Sequence, residues 1–408
     1  MDKMIYLDNA ATTKVAPEVF EAMKPYLLEE YGNPSSAYAF SGRIAGKVTE
    51  ARDKIAGVIG AKEREIFFTA GGSESDNWAI KGVADALKDK GNHIITSAIE
   101  HHAVLHTCEF LEKRGYEVTY LPVDENGLVD PKELEAAIRP STILITIMFA
   151  NNEIGTIEPI AEIGRIAHEH GIYFHTEAVQ AFGHVPIDVN EMNIDMLSAS
   201  GHKINGPKGV GFLYIRSGTK ITNLIHGGAQ EYGRRAGTTN AAGIIGFARA
   251  AELAVSGMEE TIAYESSLRD RLIGRILKEI PYSRVNGDLK KRLSNNVNIC
   301  FRFVEGESLL ILLDQKGICA SSGSACTSGS LDPSHVLLAI GLPHEIAHGS
   351  VRLTLSKETT EEDVDYTVET LKQIIDRLRG MSPLYEDWLR KNHQAKGEKY
   401  NESGNGIQ

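Results

Sequence analysis

Between residues 66 and 215, short apolar runs of strand length alternate with amphipathic stretches of helical length. Apolar strands that alternate with helices are typical of βαβ units on a mostly parallel sheet with helices on both faces. The chain is therefore predicted to be an α/β protein with a seven-stranded sheet, in which a ligand binds at the carboxyl ends of the strands. The predicted strands are residues 66–69, 93–97, 117–121, 142–148, 172–176, 196–200 and 211–215, and the helices between them include residues 76–90, 103–113, 131–138 and 160–170.

The pattern changes after Gly218. Residues 241–278 predict one long helix that crosses between domains, and the rest of the chain predicts a smaller α+β domain. The elements predicted for this domain are strands at residues 296–301, 317–320 and 350–355 and helices at residues 333–340 and 360–379. We expect a large domain at residues 16–257, a small domain at residues 1–15 and 258–380, and a C-terminal extension at residues 381–408. The extension is expected to be partly disordered, because the tail from Asn392 is polar and poor in aromatic residues.

Charge and cysteine content restrict the class of protein. A formal net charge of −12 disfavours direct binding to nucleic acid. The four cysteines form no CxxC pair, which disfavours a disulfide scaffold or a metal site and indicates a reducing compartment. No apolar run has the length of a signal peptide or a membrane span. We therefore expect a cytoplasmic protein with no bound metal.

A lysine directly after a predicted strand is the first candidate for chemistry. Lys203 lies in SASGHKINGPKGVG, residues 198–211, together with Ser200 and His202. A lysine in a turn where water is limited can form a Schiff base with an aldehyde, and the neighbouring hydroxyl and imidazole can bind a phosphate. Taken alone, the segment also fits a surface lysine, which is our interpretation of Lys208.

Glycines after an earlier strand predict an anion site. In TAGGSESDN, residues 69–77, Gly72 and Ser73 stand where a helix is expected to begin. Free backbone N–H groups and the helix dipole at such a point bind phosphate. The alternative is a glycine turn in which Ser73 is only the N-cap of the helix.

Two further strand ends carry side chains suited to an aromatic cofactor. Glu177, in HTEAVQA, could pair with the ring nitrogen of pyridoxal phosphate, and Gln180 could bond the ring hydroxyl. His101, in SAIEHHAV, could stack on the ring. Glu177 could instead cap a helix. The anion loop, imidazole, carboxylate and lysine nevertheless occur in the order found in fold-type I pyridoxal-phosphate enzymes, which predicts that cofactor.

One cysteine lies in a segment unlike a protein core. Cys326 is surrounded by small and polar residues in CASSGSACTSGSLDPSHVL, residues 319–337, as expected for an accessible nucleophile on a loop. Cys108 and Cys300 are interpreted as small buried side chains, and Cys319, close to a strand, as structural.

These motifs together resemble the cysteine desulfurases of the NifS/IscS type, in the class V aminotransferase family. The resemblance extends from YLDNAATT at the N-terminus to about Trp388, and the longer loop around Cys326 resembles the first group of that family. The matching segments are GNPSS (32–36), ESDN (74–77), NNEIG (151–155), GHKINGPKGVG (201–211), RRAGTTN (234–240) and SSGSACTSG (321–329).

The resemblance implies a role for each site residue. Lys203 would bear the cofactor and act as base, Cys326 would receive the sulfur of L-cysteine as a persulfide, and His101 would stack on the ring and handle a proton. The other implied roles are ring contacts for Glu177 and Gln180, phosphate ligands at Ser73, Ser200 and His202, Thr238 reaching the phosphate from the other subunit of a homodimer, and substrate-carboxylate ligands at Asn152 and Arg352.

The expected reaction converts L-cysteine to L-alanine, and the sulfur then passes to an acceptor such as an iron–sulfur scaffold or a thiolation partner. Two positions depart from the family: Glu177 replaces the usual aspartate, and Thr239 stands where an acidic residue is common. The alternatives are another pyridoxal-phosphate lyase or aminotransferase, such as a selenocysteine lyase, and a non-catalytic scaffold subunit. MSPLYEDWLRK, residues 381–391, resembles the region that docks scaffold proteins, but could equally pack on its own domain.

Overall fold

The computed structural model describes residues 4–322 and 333–395. In this part of the chain, the strands are β1 (Ile5–Tyr6), β2 (Ile66–Thr69), β3 (His93–Ser97), β4 (Glu117–Leu121), β5 (Thr142–Thr146), β6 (Tyr173–Glu177), β7 (Met196–Ser200), β8 (Gly211–Ile215), β9 (Ser283–Val285), β10 (Asn296–Phe301), β11 (Ile318–Cys319) and β12 (Ser350–Thr354). The α-helices are α1 (Pro17–Leu28), α2 (Ala39–Val58), α3 (Gly72–Ala86), α4 (His102–Glu112), α5 (Pro131–Ala137), α6 (Ile160–Glu169), α7 (Ala241–Ser256), α8 (Met258–Glu279), α9 (Gly306–Asp314), α10 (His335–Ala339), α11 (His344–Ala347), α12 (Glu361–Gly380) and α13 (Pro383–Ala395).

A seven-stranded sheet forms the centre of the molecule, in the order β2-β8-β7-β6-β5-β3-β4. Within it, β8 runs antiparallel to both of its neighbours, and the other neighbouring pairs are parallel. Strands β5, β7 and β8 are buried along their whole length. This burial explains why they occur in the sequence as continuous apolar runs and not as alternating ones. The predicted fold class is confirmed.

Helices cover both faces of this sheet and bury them in two separate cores. On one face, Trp78 and Val83 of α3 and Cys108 of α4 pack against the sheet. On the other face, Ile55 of α2 and Phe247 of α7 belong to a larger core. Covering both faces leaves the carboxyl ends of the parallel strands as the open edge for a ligand.

A second group of elements is built around the three-stranded antiparallel sheet β12-β10-β9. Its own core includes residues of α8, α9 and α12. Near it, β1 pairs in parallel with β11, which joins the N-terminus to the C-terminal half as expected. A small apolar cluster that includes Ile99, Met148, Cys300 and Leu337 packs this part against the large sheet. The exact domain boundaries given above stay a prediction.

Some expected elements differ from the structure. The single helix expected at residues 241–278 is two helices, α7 and α8, bent by 71° at Gly257, where the glycine ends one helix and begins the next. Helices α1 and α2 were not predicted. Asn392, expected to start a disordered tail, lies within α13. None of the helices in the described ranges is by itself long and apolar enough to span a membrane, and the bent pair passes that test only when joined.

Candidate active site

A cavity of about 360 Å³ lies at the carboxyl ends of the large sheet. Glu177 and Ser200 are the last residues of β6 and β7, and His101 follows β3 by four residues. The side chains expected to carry chemistry therefore meet at one edge, as the strand order predicts. The lining residues are Ala10, Ala11, Gly72, Ser73, Asp76, His101, Asn152, Glu177, Val179, Gln180, Ser200, His202, Lys203 and Arg352.

Lys203 ends a short 3₁₀ turn, Gly201–Lys203, directly after β7. It is half-buried, and its Nζ donates to the carbonyl oxygens of Ala10 at 2.5 Å and Ala11 at 2.9 Å. The interpretation of Lys203 as a surface lysine is therefore wrong. Lys208 is exposed, as predicted.

The start of α3 forms the anion end of the site. A second cavity of about 480 Å³ shares Gly72, Ser73, Ser200 and His202 with the first. Gly71 precedes α3 with φ 154° and ψ −176°, a conformation that favours glycine, and no side chain caps the helix. The first backbone N–H groups of α3 are thus left for an anion. Because Ser73 lies inside the helix, the alternative of Ser73 as N-cap is wrong.

His202 and His101 are both neutral at pH 7. Burial, followed by the charges of Lys203 and Lys208, lowers the pKa of His202 to about 4, and its Nδ1 lies 3.1 Å from the Thr12 hydroxyl. Burial and then Lys203 lower the pKa of His101 to about 4. His101 caps α4, its Nδ1 accepting from the Ala103 N–H at 3.1 Å. The single proton of its imidazole is therefore on Nε2, and the cap fixes the orientation of the ring.

Glu177 is buried at the end of β6 and lines the cavity. Its Oε1 accepts from the backbone N–H of Val179 at 2.6 Å, within the turn that follows β6. No helix begins in the described residues between β6 and β7, so the alternative of Glu177 as a helix cap is wrong. Burial raises the pKa of Glu177, while the Val179 bond and Lys203 oppose the shift. Gln180 donates to the carbonyl oxygen of Ala10 at 3.0 Å, the same oxygen that Lys203 contacts.

Arg352 lies in the middle of β12 and is buried. Its Nη1 donates to the Asn152 carbonyl oxygen at 2.9 Å, its Nη2 donates to Asp8 Oδ1 at 2.9 Å, and its buried Nε has no hydrogen-bond partner. A fork with an unused donor at a cavity wall suits a carboxylate ligand. A hydrogen bond thus links Arg352 and Asn152, the two residues predicted to bind the substrate carboxylate.

Sequence reasoning missed Asp8 and Asp76. Asp8 pairs with Arg352, and Asp76 is a buried carboxyl in the cavity wall. Both belong to segments quoted for their resemblance, YLDNAATT and ESDN. For Asp8 the available signal was a charged residue among the mostly apolar and small residues of YLDNAATT, whereas Asp76 lies in a polar segment that gives no such signal.

The comparisons with known proteins agree with this site. A family model described as Aminotransferase class-V matches residues 5–367. The chain is 61% identical over 383 residues to the cysteine desulfurase IscS of Methanosarcina thermophila, covering 94% of this chain and 95% of that protein. The chain belongs to the cysteine desulfurases of aminotransferase class V.

Solved structures of similar proteins share the fold. A NifS-like protein matches with a TM-score of 0.87 and 39% identity, over 92% of this chain and all of that one (100%). A structure described as SspA in complex with cysteine matches with a TM-score of 0.77 and 41% identity, over 87% of this chain and 100% of that one.

Cysteine desulfurases of this class use pyridoxal phosphate, and the residues present fit that cofactor. The uncapped helix start at Gly72 suits its phosphate. A Cβ at Gly72 would come within 2.6 Å of a Val179 methyl carbon, so the glycine keeps this wall open. Buried carboxyls at Glu177 and Asp76 suit the ring nitrogen, and Lys203 suits the aldehyde.

Two predicted residues are not brought into this cavity. Thr238 is exposed and lines a separate cavity with Ala70 and Gly209, residues that also line the anion end. Its predicted role across a dimer stays a prediction. Cys326 lies outside the described residues.

Described residues on both sides of this gap lie close to residues of the site. Before it, Ser321 and Arg352 exchange backbone hydrogen bonds of 3.2 and 2.6 Å. After it, the ring of His335 contacts the carbonyl oxygen of Glu100, next to His101, at 3.0 Å. Ser321 and His335, which flank residues 323–332 in the sequence, therefore lie beside Arg352 and Glu100.

The described cysteines are poor nucleophiles. Burial raises the pKa of Cys300 to about 11 and also raises the pKa of Cys108 and Cys319. A raised pKa leaves little thiolate at pH 7. Cys108 and Cys300 are buried and Cys319 lies in β11, as predicted.

Proposed function

We propose that this cysteine desulfurase converts L-cysteine to L-alanine and holds the sulfur as a persulfide on Cys326 before transfer to an acceptor protein. The observation that carries the proposal is one cavity lined by Lys203, Glu177, Arg352 and the open start of α3. Its polar groups match the aldehyde, ring nitrogen and phosphate of the cofactor and the carboxylate of an amino acid.

Bound pyridoxal phosphate supplies an electron sink that makes the substrate α-proton acidic. Gly72, Ser73, Ser200 and His202 would hold its phosphate, Glu177 its ring nitrogen and Gln180 its ring hydroxyl. His101 would stack on the ring, because the cap of α4 holds its imidazole against the cavity. Supporting these roles, all seven residues line the two connected cavities.

Lys203 Nζ takes the α-proton of the substrate and returns it in a later step. The half-buried position supports this role, since few water molecules compete for the proton. The carbonyl oxygens of Ala10 and Ala11 hold Nζ within the cavity. A lysine so held moves protons without leaving the site.

Arg352 and Asn152 orient the substrate. The Nε of Arg352 and the remaining hydrogens of its fork bind the substrate carboxylate, which fixes the side chain of the amino acid relative to Lys203. The structure described as SspA in complex with cysteine supports an amino acid of this size as ligand.

The thiolate of Cys326 then attacks the sulfur of L-cysteine. A sulfur–sulfur bond forms, the carbon–sulfur bond of the substrate breaks, and its electron pair stays with the carbon fragment. Protonation of that fragment gives L-alanine, and the proton that Lys203 Nζ took is its source. The positions of Ser321 beside Arg352 and of His335 beside Glu100, on either side of residues 323–332 in the sequence, support access of Cys326 to the substrate.

The proposed partners are a sulfur acceptor, such as an iron–sulfur scaffold, and a second subunit. Large apolar side chains exposed at Phe20, Leu27, Tyr31 and Tyr38 provide a surface of the kind that a homodimer covers. We also propose a cytoplasmic location, because the described cysteines are free thiols, which a reducing compartment preserves.

The C-terminal segment packs on its own chain. The ring of Trp388 lies 4.7 Å from that of Tyr282, and the ring of Tyr385 lies 5.3 Å from that of Phe303. This contact agrees with packing on its own domain. Docking of an acceptor on the outer side of α13 stays a prediction.

The test is an absorption spectrum of the purified protein before and after L-cysteine, with alanine and sulfide measured. We expect a band of bound cofactor that shifts with cysteine, and alanine as product. Cys326→Ala should abolish alanine formation, while the control Cys319→Ala should retain it. Full activity of Cys326→Ala would favour another lyase, such as a selenocysteine lyase, and absence of the cofactor band would favour a non-catalytic scaffold.

A further inference from the structure

Asp76 is a second buried carboxyl at the cavity of Glu177. It lies in the first turns of α3, is 1% exposed, and lines the same cavity as Glu177 and Lys203. Its Oδ1 is buried without a hydrogen-bond partner. A buried carboxyl oxygen left unpaired is unfavourable, so such an atom at a ligand cavity marks a place for a donor.

The Ser198 hydroxyl is a hydrogen-bond partner of the Asp76 carboxyl and lowers its pKa, but Oδ1 stays without a partner. His175 Nδ1 lies 2.8 Å from the Thr146 hydroxyl and its Nε2 lies 3.0 Å from the Ser198 hydroxyl, whereas Asp76 Oδ1 is 3.7 Å away. Burial lowers the pKa of His175 to about 3, so its ring is neutral and does not balance a charge on Asp76.

The other titratable groups near Asp76 and Glu177 do not donate a hydrogen bond to Asp76 Oδ1 either. Glu100 accepts from the Ser97 hydroxyl and the Met148 N–H, and its charge opposes ionisation of Asp76. His101 is neutral at pH 7. Among the described lining residues, the lysine and arginine side chains are Lys203 and Arg352, and Arg352 already pairs with Asp8.

One oxygen of the Glu177 carboxyl is already engaged by the backbone. Its Oε1 turns back to the Val179 N–H, which uses part of its capacity as an acceptor. Burial and then the charge of Glu177 raise the pKa of Asp76 well above its usual value. Two buried carboxyls that repel each other retain a proton between them.

We propose that Asp76 and Glu177 work as one carboxyl pair that carries a single proton, and that Asp76 is a second contact for the ring nitrogen of pyridoxal phosphate. The inference rests on the proposed function, since it concerns the same cavity. Glu177 and Asp76 would together hold the ring nitrogen of bound pyridoxal phosphate, and the one proton of the pair would be available to it without a change in the total charge of the cavity.

The first experiment compares two probes on the apoprotein, pyridoxal phosphate and its 1-deaza analogue, in which carbon replaces the ring nitrogen. Asp76→Asn should weaken binding of pyridoxal phosphate by about tenfold or more, the loss expected for a hydrogen bond to a charged group, and change the analogue by less than about twofold. Glu158→Gln, a buried carboxyl outside this cavity, is the matched control and should leave both affinities unchanged. Equal losses for both probes, or no loss for pyridoxal phosphate, would overturn the proposal.

The second experiment leaves Asp76 in place, in case Asp76→Asn does not fold. Nitrogen-15 NMR of ring-labelled cofactor in the holoprotein reports whether the ring nitrogen is protonated. In the Glu177→Gln variant the ring nitrogen should stay protonated, because Asp76 supplies the remaining carboxyl. An unprotonated ring nitrogen in this variant would show that Glu177 acts alone. Neither experiment uses L-cysteine, so either proposal, the carboxyl pair or the desulfurase activity, can be disproved without disproving the other.

Discussion

Arg352→Lys offers the sharpest test of how the cavity binds its substrate. The guanidinium of Arg352 donates to the Asn152 carbonyl oxygen and to Asp8, each at 2.9 Å, and still has Nε unpartnered. Lysine keeps the charge but replaces this planar fork with one nitrogen. The ammonium cannot reach Asp8, the Asn152 carbonyl and a substrate carboxylate with the same geometry.

The expected magnitude follows from the donors lost. A hydrogen bond to a charged group contributes about 1.5–3 kcal/mol, and the substrate carboxylate loses one of the two that a fork provides. That loss corresponds to a rise in KM for L-cysteine of roughly 10- to 150-fold. Because the contact is made by substrate and transition state alike, kcat should change by less than about threefold.

The assay is steady-state alanine formation over a range of L-cysteine concentrations. The matched control is Arg379→Lys, since Arg379 is also buried but donates to the Arg302 carbonyl oxygen at 3.1 Å, away from the cavity. The control should leave KM unchanged. A fall in kcat with an unchanged KM in Arg352→Lys, or an equal rise of KM in the control, would refute the role of the fork in binding the carboxylate.

Three further changes test other parts of the structure. Gly72→Ala places a methyl group 2.6 Å from a Val179 methyl carbon and should weaken pyridoxal phosphate binding by about tenfold, as measured by titration of the apoprotein; unchanged affinity would contradict the fit. Burial raises the pKa of Glu158 to about 8, so stability is fullest below about pH 4.5 and falls as pH rises to 8. Glu158→Gln should therefore stabilise the protein by about 1–3 kcal/mol at pH 8 and by little at pH 4.5 in urea unfolding, whereas a gain independent of pH would disprove this assignment. Trp388→Ala removes the ring contact with Tyr282 and should speed amide hydrogen exchange in α13, with alanine formation unchanged; protection equal to wild type would show that the contact does not hold the helix.

The secondary structure of the large sheet was predictable because its signals are local. Strands β2, β3, β4, β7 and β8 have the predicted bounds, since each is a short apolar or β-branched run between turn residues. The break at Gly257 was not predicted, because a glycine within an apolar helical pattern can be tolerated or can end the helix. Packing of α7 and α8 in two different cores decides between these outcomes.

The residues of the candidate site also divide into those that the sequence predicted and those that only the structure brought together. The sequence by itself determined Lys203, Glu177, His101 and the glycine at α3 as members of one site, because each follows a strand and parallel strands end at a common edge. Cys326 was also predicted from its segment, and since it lies outside the described residues its role stays a prediction.

Only the tertiary structure decided which charges face each other. The pairing of Asp8 with Arg352 joins residues 344 positions apart, and it depends on the N-terminal segment lying beside β12. Asp76 lines the same cavity as Glu177 because α3 packs over the sheet at β6 and β7. The physical reason is that periodicity reports which face of an element is buried, whereas contacts between distant charged groups follow from how whole elements pack.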